Sequence, residues 1–67
     1  MYTVTADGVN FMGSYYDSPA GFALQFPNVD IAIAIMRAQV VSVTDPNGDQ
    51  IHGIARSRAV GNIVYFR

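Results

Sequence analysis

The sequence predicts one α+β domain spanning residues 1–67, in which a small antiparallel β-sheet of five to six strands is covered on one face by a single helix. The length suffices for one domain near the lower size limit of a self-supporting core. The hydrophobic fraction of 51% is too high for a disordered chain. Short β-rich segments alternate with turn residues, and only residues 29–39 carry helix start and stop signals.

The first two predicted strands form a hairpin. Residues 2–5 alternate in strand fashion, the Ala-Asp-Gly sequence of residues 6–8 is a turn signal, and residues 9–12 return. Residues 13–21 are rich in glycine and serine, so we expect a loop there, which would carry Tyr15 and Tyr16.

Residues 21–26 fit two structures. A short helix is one, and a strand in which bulky apolar residues alternate with smaller or polar ones is the other. We favour the strand, because Gly21 weakens so short a helix and Pro27 forbids its continuation.

Residues 29–39 are also ambiguous, because isoleucines alternate with alanines as they would in a strand. The ends of the segment favour a helix. Asn28 is a good N-cap, Asp30 is favourable in a first helical turn, and Arg37 is favourable in a last one. We therefore predict a helix that lies across one face of the sheet.

The C-terminal part is clearer. Residues 40–44 are β-rich, residues 45–48 form a strong turn signal, and residues 50–58 and 63–67 are predicted strands. The predicted element order is therefore β-β-β-α-β-β-β.

Strand pairing can be chosen by matching apolar residues, since a slip of one residue exchanges the two faces of a strand. A three-residue loop over residues 46–48 pairs Val43 with Ile51, whereas a two-residue loop would place His52 opposite Val43. We favour the first. It also places Val41, Val43, Ile51, Ala55, Val64 and Phe66 on the predicted buried face.

The last hairpin decides which residues lie on the opposite face. A two-residue turn at residues 61–62 pairs Arg58 with Tyr65 and Arg56 with Arg67. A two-residue turn one position earlier leaves the faces unchanged, and a three-residue loop would exchange them.

The predicted outer face contains a candidate partner-binding surface of Arg56, Arg58, Tyr65 and Arg67, with His52, Ile54 and Ile63 beside it. Arginine and tyrosine are enriched among interface anchors, so we expect a protein partner with an acidic surface. A nucleic-acid partner is the alternative, and so is a solvated face with no partner. The loop with Tyr15 and Tyr16 is a second candidate contact site.

The residues available for catalysis are few: one histidine, five aspartates, and no glutamate, lysine or cysteine. Every aspartate lies in or beside a turn or helix cap, where its side chain bonds nearby backbone N–H groups. Residues 45–49 partly match a calcium loop, but Gly48 falls at the fourth position rather than the sixth. We therefore expect no catalytic site, no metal site and no cofactor.

Charge and hydropathy restrict the classes of partner further. A net charge of −1 excludes a globally basic nucleic-acid binder, although residues 1–36 carry −3 and residues 37–67 carry +2. The charged fraction of only 13% makes homo-oligomerisation an alternative. No apolar run reaches the length of about 18 residues needed for a membrane span, and residues 1–5 lack signal-peptide character. We expect no membrane contact and a cytoplasmic location.

In length and in its plain β-rich design, the chain resembles the small proteins that phages and mobile elements use to block host complexes, anti-CRISPR proteins among them. That resemblance implies a stoichiometric protein-binding inhibitor or regulator. The identity of its partner is not encoded in any motif of the sequence.

Overall fold

The sheet has seven strands, all paired antiparallel, in a computed structural model that describes all 67 residues. The strands are β1 (Tyr2–Ala6), β2 (Val9–Tyr16), β3 (Ala23–Gln25), β4 (Val41–Thr44), β5 (Gln50–Ile51), β6 (Arg56–Val60) and β7 (Ile63–Phe66), and the helix is α1 (Val29–Arg37). Across the sheet the strands lie in the order β5-β4-β1-β2-β3-β7-β6. The predicted α+β class is confirmed, with seven strands rather than five to six.

β1 and β2 form the predicted hairpin through a turn at Asp7 and Gly8. Both residues have positive φ, 49° and 84°, which is the geometry of the type I′ turn that an Asp-Gly pair favours. The turn pairs Ala6 with Val9.

β2 continues to Tyr16, so the prediction of a loop over residues 13–21 is wrong for its first four residues. Gly13 does not turn the chain. A Cβ at that position would lie 2.8 Å from Cε1 of Phe26, so the missing side chain makes room for a core ring beside the strand. β2 therefore runs through both halves of the sheet and pairs with β1 and then with β3.

The two ambiguous segments fold as predicted. Residues 23–25 form a strand between β2 and β7. The helix begins after Asn28, whose Oδ1 accepts a hydrogen bond from the N–H of Ile31 at 3.0 Å, and it ends at Arg37. At nine residues, α1 is too short to cross a membrane.

The predicted pairing of Val43 with Ile51 is confirmed. The prediction of one strand over residues 50–58 is wrong, because the chain leaves the sheet after Ile51 and returns at Ala55, which exchanges two backbone hydrogen bonds with Arg67 just before β6 begins. Gly53 has a φ of 76°, a left-handed conformation that interrupts a strand. This interruption produces the seventh strand.

The last hairpin turns at Gly61 and Asn62. Gly61 has a φ of 60°, as the first central residue of a type II′ turn requires, and Arg58 pairs with Tyr65 as predicted. A β-bulge then shifts the register, so Arg56 pairs with Phe66 rather than with Arg67. A bulge places two residues opposite one, and the strand before it presents its side chains to the other face.

The core lies between α1 and the inner face of the sheet. Its buried cluster contains Val4, Ala6, Leu24, Phe26, Ala32, Ile35, Val43, Val64 and Phe66. Three of the six residues predicted for the buried face are therefore fully buried. The prediction fails before the bulge, where Ile54 packs against the core and Ala55 is exposed.

Candidate binding surface on the outer face of the sheet

Four residues form a row across the face of the sheet that α1 does not cover. Tyr16 of β2 pairs with Ala23 of β3, which pairs with Tyr65 of β7, which pairs with Arg58 of β6. Directly paired residues of an antiparallel sheet project to the same face. We call these four residues the Tyr/Arg row. At a strand spacing of about 4.8 Å the row spans about 14 Å.

Neighbouring side chains within the Tyr/Arg row are closely packed. Ala23 has no exposed surface although it lies on the outer face, and its direct neighbours are the half-buried Tyr16 and Tyr65, whose rings therefore cover it. The guanidinium carbon Cζ of Arg58 lies 4.8 Å from the centroid of the Tyr65 ring, a cation–π contact. The cation–π contact restricts the positions of the Arg58 and Tyr65 side chains.

Apolar and neutral residues surround the row. Ser14, Gln25, Ile63 and Val60 form the next row across the same four strands, and the side chain of Val60 is 53% exposed. Arg67 follows β7 and is exposed beside the row. We call the following residues the outer patch: Ser14, Tyr16, Ala23, Gln25, Arg58, Val60, Ile63, Tyr65 and Arg67.

The outer face as a whole is cationic. On the other half of the sheet its residues are uncharged: Thr3, Thr5, Asn10, Met12, Ser42, Thr44 and Gln50. All five aspartates lie outside the strands, in turns, in loops or in α1. Arg58 and Arg67 therefore meet no acidic residue within the strands of this face, and the electrostatic potential that these strands contribute is positive.

The structure brings together most of the predicted site. Arg58, Tyr65 and Arg67 lie on one face, as the predicted pairing required. Tyr16, which the sequence predicted to lie in a separate loop, joins them from β2. The regular alternation of residues 9–16 through Gly13 was the signal that would have placed it there.

Arg56 does not belong to the outer patch, which corrects the predicted site. The bulge turns its half-buried side chain to the inner face, where Nη1 donates to the carbonyl oxygens of Ile35 at 2.7 Å, Met36 at 3.1 Å and Ala38. These groups lie at the C-terminal end of α1, where a positive charge is favourable. Arg56 therefore stabilises the end of the helix.

Tyr15 is also separated from the outer patch. It alternates with Tyr16 along β2 and contacts Phe22, with ring centroids 5.9 Å apart. Phe22 in turn contacts Tyr2 at 5.4 Å and Phe66 at 5.8 Å. The Tyr15 side chain, 55% exposed, thus extends an aromatic cluster at the margin of the core.

Asp7 has a structural role that extends beyond its own turn. Its carboxylate accepts hydrogen bonds from the backbone N–H groups of Val40 at 2.9 Å and Gln39 at 3.1 Å. The bonds from Val40 and then Gln39 lower the pKa of the carboxyl group, with a smaller contribution from the charge of Arg56. Asp7 therefore ties the chain that leaves α1 to the first hairpin.

The largest concavity is an open groove of about 470 Å³, lined by residues 39–43 and 50–56 and by Phe66. It lies beside the segment that interrupts the sheet between β5 and β6. A smaller depression of about 280 Å³ lies beside Met1, Met12 and Phe26. The aspartates and His52 are dispersed, and no three acidic or histidine side chains come close enough to hold a metal ion.

Comparison of the chain with protein-family models, with curated proteins and with solved structures finds no match. The outer patch is the surface of the molecule on which arginine and tyrosine side chains, positive charge and the cation–π contact occur together.

Proposed function

We propose that the protein is a non-catalytic binding module that docks a partner protein on the outer patch and acts as a small stoichiometric inhibitor or regulator. The observation that carries the proposal is the Tyr/Arg row, in which Arg58 contacts the ring of Tyr65 and Tyr16 lies in line with them on an uncovered sheet face. Rigid aromatic and arginine side chains are the residues that contribute most at protein interfaces.

The composition of the outer patch indicates the chemistry of the partner. Val60 and Ile63 supply apolar contact area next to the row, and Arg58 and Arg67 supply positive charge. A complementary surface has an apolar centre and acidic groups opposite the two arginines.

The size of the molecule supports inhibition by occlusion. A standard interface buries about 800 Å² on each partner. The accessible surface of this protein is 4129 Å², so such an interface takes up about a fifth of it. A partner would cover much of the outer face, and the rest of the molecule would then block the partner's neighbouring surface.

A nucleic-acid partner is the second candidate, because Tyr16 and Tyr65 lie on one sheet face with Arg58 beside them. Bases of single-stranded RNA stack on aromatic residues placed in this way. We rank it second because the bulge removes Arg56 from the face. The two arginines that are left make a small phosphate footprint.

Capture of a partner from nuclease-treated lysate of the source organism tests the proposal. We expect the wild type to retain a protein that Arg58→Glu and Tyr65→Ala both fail to retain. Thr44→Ala, on the uncharged half of the same face, is the matched control and retains it. Thermal unfolding of each variant confirms that the fold is intact.

Two results would count against protein binding. A captured protein that all variants retain equally would mean that the outer patch is not the contact surface. A captured species that nuclease removes, together with binding to mixed oligonucleotides that falls steeply with added salt, would favour the second candidate.

A further inference from the structure

β6 lies at an open edge of the sheet and pairs only with β7. The two-residue turn makes Val60 and Ile63 a hydrogen-bonded pair, and such pairs alternate along an antiparallel ladder. Arg58 and Tyr65 therefore form the next hydrogen-bonded pair, and the backbone N–H and C=O of Ala59 point away from β7. These two groups have no partner among the hydrogen bonds outside the ladder.

The other edge of the sheet is not equivalent. β5 has only two residues, which is too short to align an added strand, whereas β6 has five. The bulge bends the beginning of β6, so the regular part of the open edge is Arg58 to Val60. An extended peptide that lies along this part can bond both backbone groups of Ala59.

The positive charge of Arg58 determines which kind of added strand is favourable at the β6 edge. On the outer face this edge presents Arg58 and, two residues later, the exposed side chain of Val60. An acidic residue opposite or diagonal to Arg58 is favourable, as cross-strand pairs of opposite charge are. A second copy of the protein is disfavoured, because pairing of two β6 edges about Ala59 brings two Arg58 side chains within about 8 Å of each other.

We propose that the β6 edge binds an extended acidic segment of a partner protein as an added strand, with backbone bonds at Ala59 and a carboxylate against Arg58. This inference rests on the proposed function and specifies how the partner is bound. Strand addition takes its affinity from main-chain hydrogen bonds and its selectivity from the side chains on alternate positions.

The test uses Ala59→Pro with a short fluorescein-labelled peptide of glutamate, valine and threonine as the probe. Proline is tolerated at an edge position whose N–H faces away from the sheet, so the fold is retained while the donor is removed. We expect binding, measured by fluorescence anisotropy at low salt, to weaken about tenfold or more, which corresponds to one lost hydrogen bond of about 1.4 kcal/mol. Ala59→Ser keeps the N–H and serves as the matched control.

A second measurement uses the unaltered protein, so it does not depend on the folding of Ala59→Pro. The same peptide with N-methyl groups on every residue keeps its charge but has no N–H to donate on either edge, and we expect it not to bind. A version with lysine in place of glutamate should bind only to Arg58→Glu.

The results separate this inference from the proposed function. Equal binding of the plain and N-methylated peptides overturns strand addition and indicates a purely electrostatic contact. Binding that Ala59→Pro leaves unchanged but Tyr65→Ala abolishes also overturns it, while supporting docking on the outer patch. If the wild type binds none of the peptides, strand addition is wrong and the capture experiment decides the function alone.

Discussion

The substitution Arg56→Ala tests whether Arg56 stabilises the fold, as its contacts indicate, or binds a partner, as the sequence predicted. Nη1 carries two hydrogens shared among three carbonyl oxygens at the end of α1, so two charge-assisted hydrogen bonds are lost. At about 1.5 kcal/mol each, the lower end of the range for charged donors, the loss is about 3 kcal/mol. A domain of this size has a total stability of roughly 3 to 10 kcal/mol.

A loss of that size lowers the melting midpoint by roughly 12 to 24 °C, since each kcal/mol corresponds to about 4 to 8 °C in a small domain. Circular dichroism at neutral pH measures the midpoint. Arg56→Lys keeps the positive charge at the helix end and should recover part of the loss. Arg58→Ala is the control on the outer face, where loss of one cation–π contact costs about 1 kcal/mol or less.

A melting midpoint for Arg56→Ala within about 2 °C of the wild type would refute this reasoning, because the lost bonds predict a shift several times larger. If that variant also lost partner binding, the arginine would lie on the binding face as the unbulged hairpin predicted.

Two further changes test the core and the first turn. Gly13→Ala should destabilise the protein, because overpacking against Phe26 costs about 1 to 3 kcal/mol and outweighs the gain of about 0.4 to 1 kcal/mol from a stiffer unfolded chain. Urea unfolding measures the effect. Asp7→Asn should lower stability at neutral pH, because the pKa of Asp7 lies below its ordinary value of 3.8 in the folded protein. The stabilisation is present above the unfolded pKa and is lost as the pH falls through the folded pKa, so the difference between the two proteins should shrink below about pH 4.

Each of these has an internal control. Gly13→Ala should cost less stability in a Phe26→Leu background than in the wild type, because the smaller side chain relieves the clash. A Gly13→Ala variant as stable as the wild type would show that the ring has space to move. Asn at position 7 keeps the side-chain acceptor and tolerates the left-handed turn. A difference in urea midpoint that stays constant from neutral pH to about pH 2 would show that charge at this position does not matter.

Local signals in the sequence were enough to predict much of the fold. The Asn28 cap placed the helix, and the turn at residues 61–62 paired Arg58 with Tyr65. Both rest on interactions between residues close in the chain. The role of Gly13 was hidden, because its explanation is a ring thirteen residues away rather than the conformation of its own backbone.

The candidate site was predicted in part for the same reason. Alternation correctly grouped Arg58, Tyr65 and Arg67, because no irregularity lies between the turn and these residues. Alternation assigned Arg56 to the wrong face, because the pattern of residue types does not show where a bulge shifts the register. The bulge lets Arg56 bond the carbonyl oxygens at the C-terminal end of α1, where a positive charge is favourable. This contact joins residues about twenty positions apart, so no local pattern reveals it.

The position of β3 has a consequence for how the protein folds. Its two neighbours differ greatly in sequence distance: Leu24 pairs with Tyr15 on one side and with Val64, forty residues later, on the other. Contacts between residues so far apart form late, because closing a long loop costs entropy before any contact is gained. The β1–β2 hairpin can therefore form early, whereas the outer patch is assembled only when β7 enters between β3 and β6. A chain interrupted before β7 would keep local structure and yet lack the surface on which we propose that the partner docks.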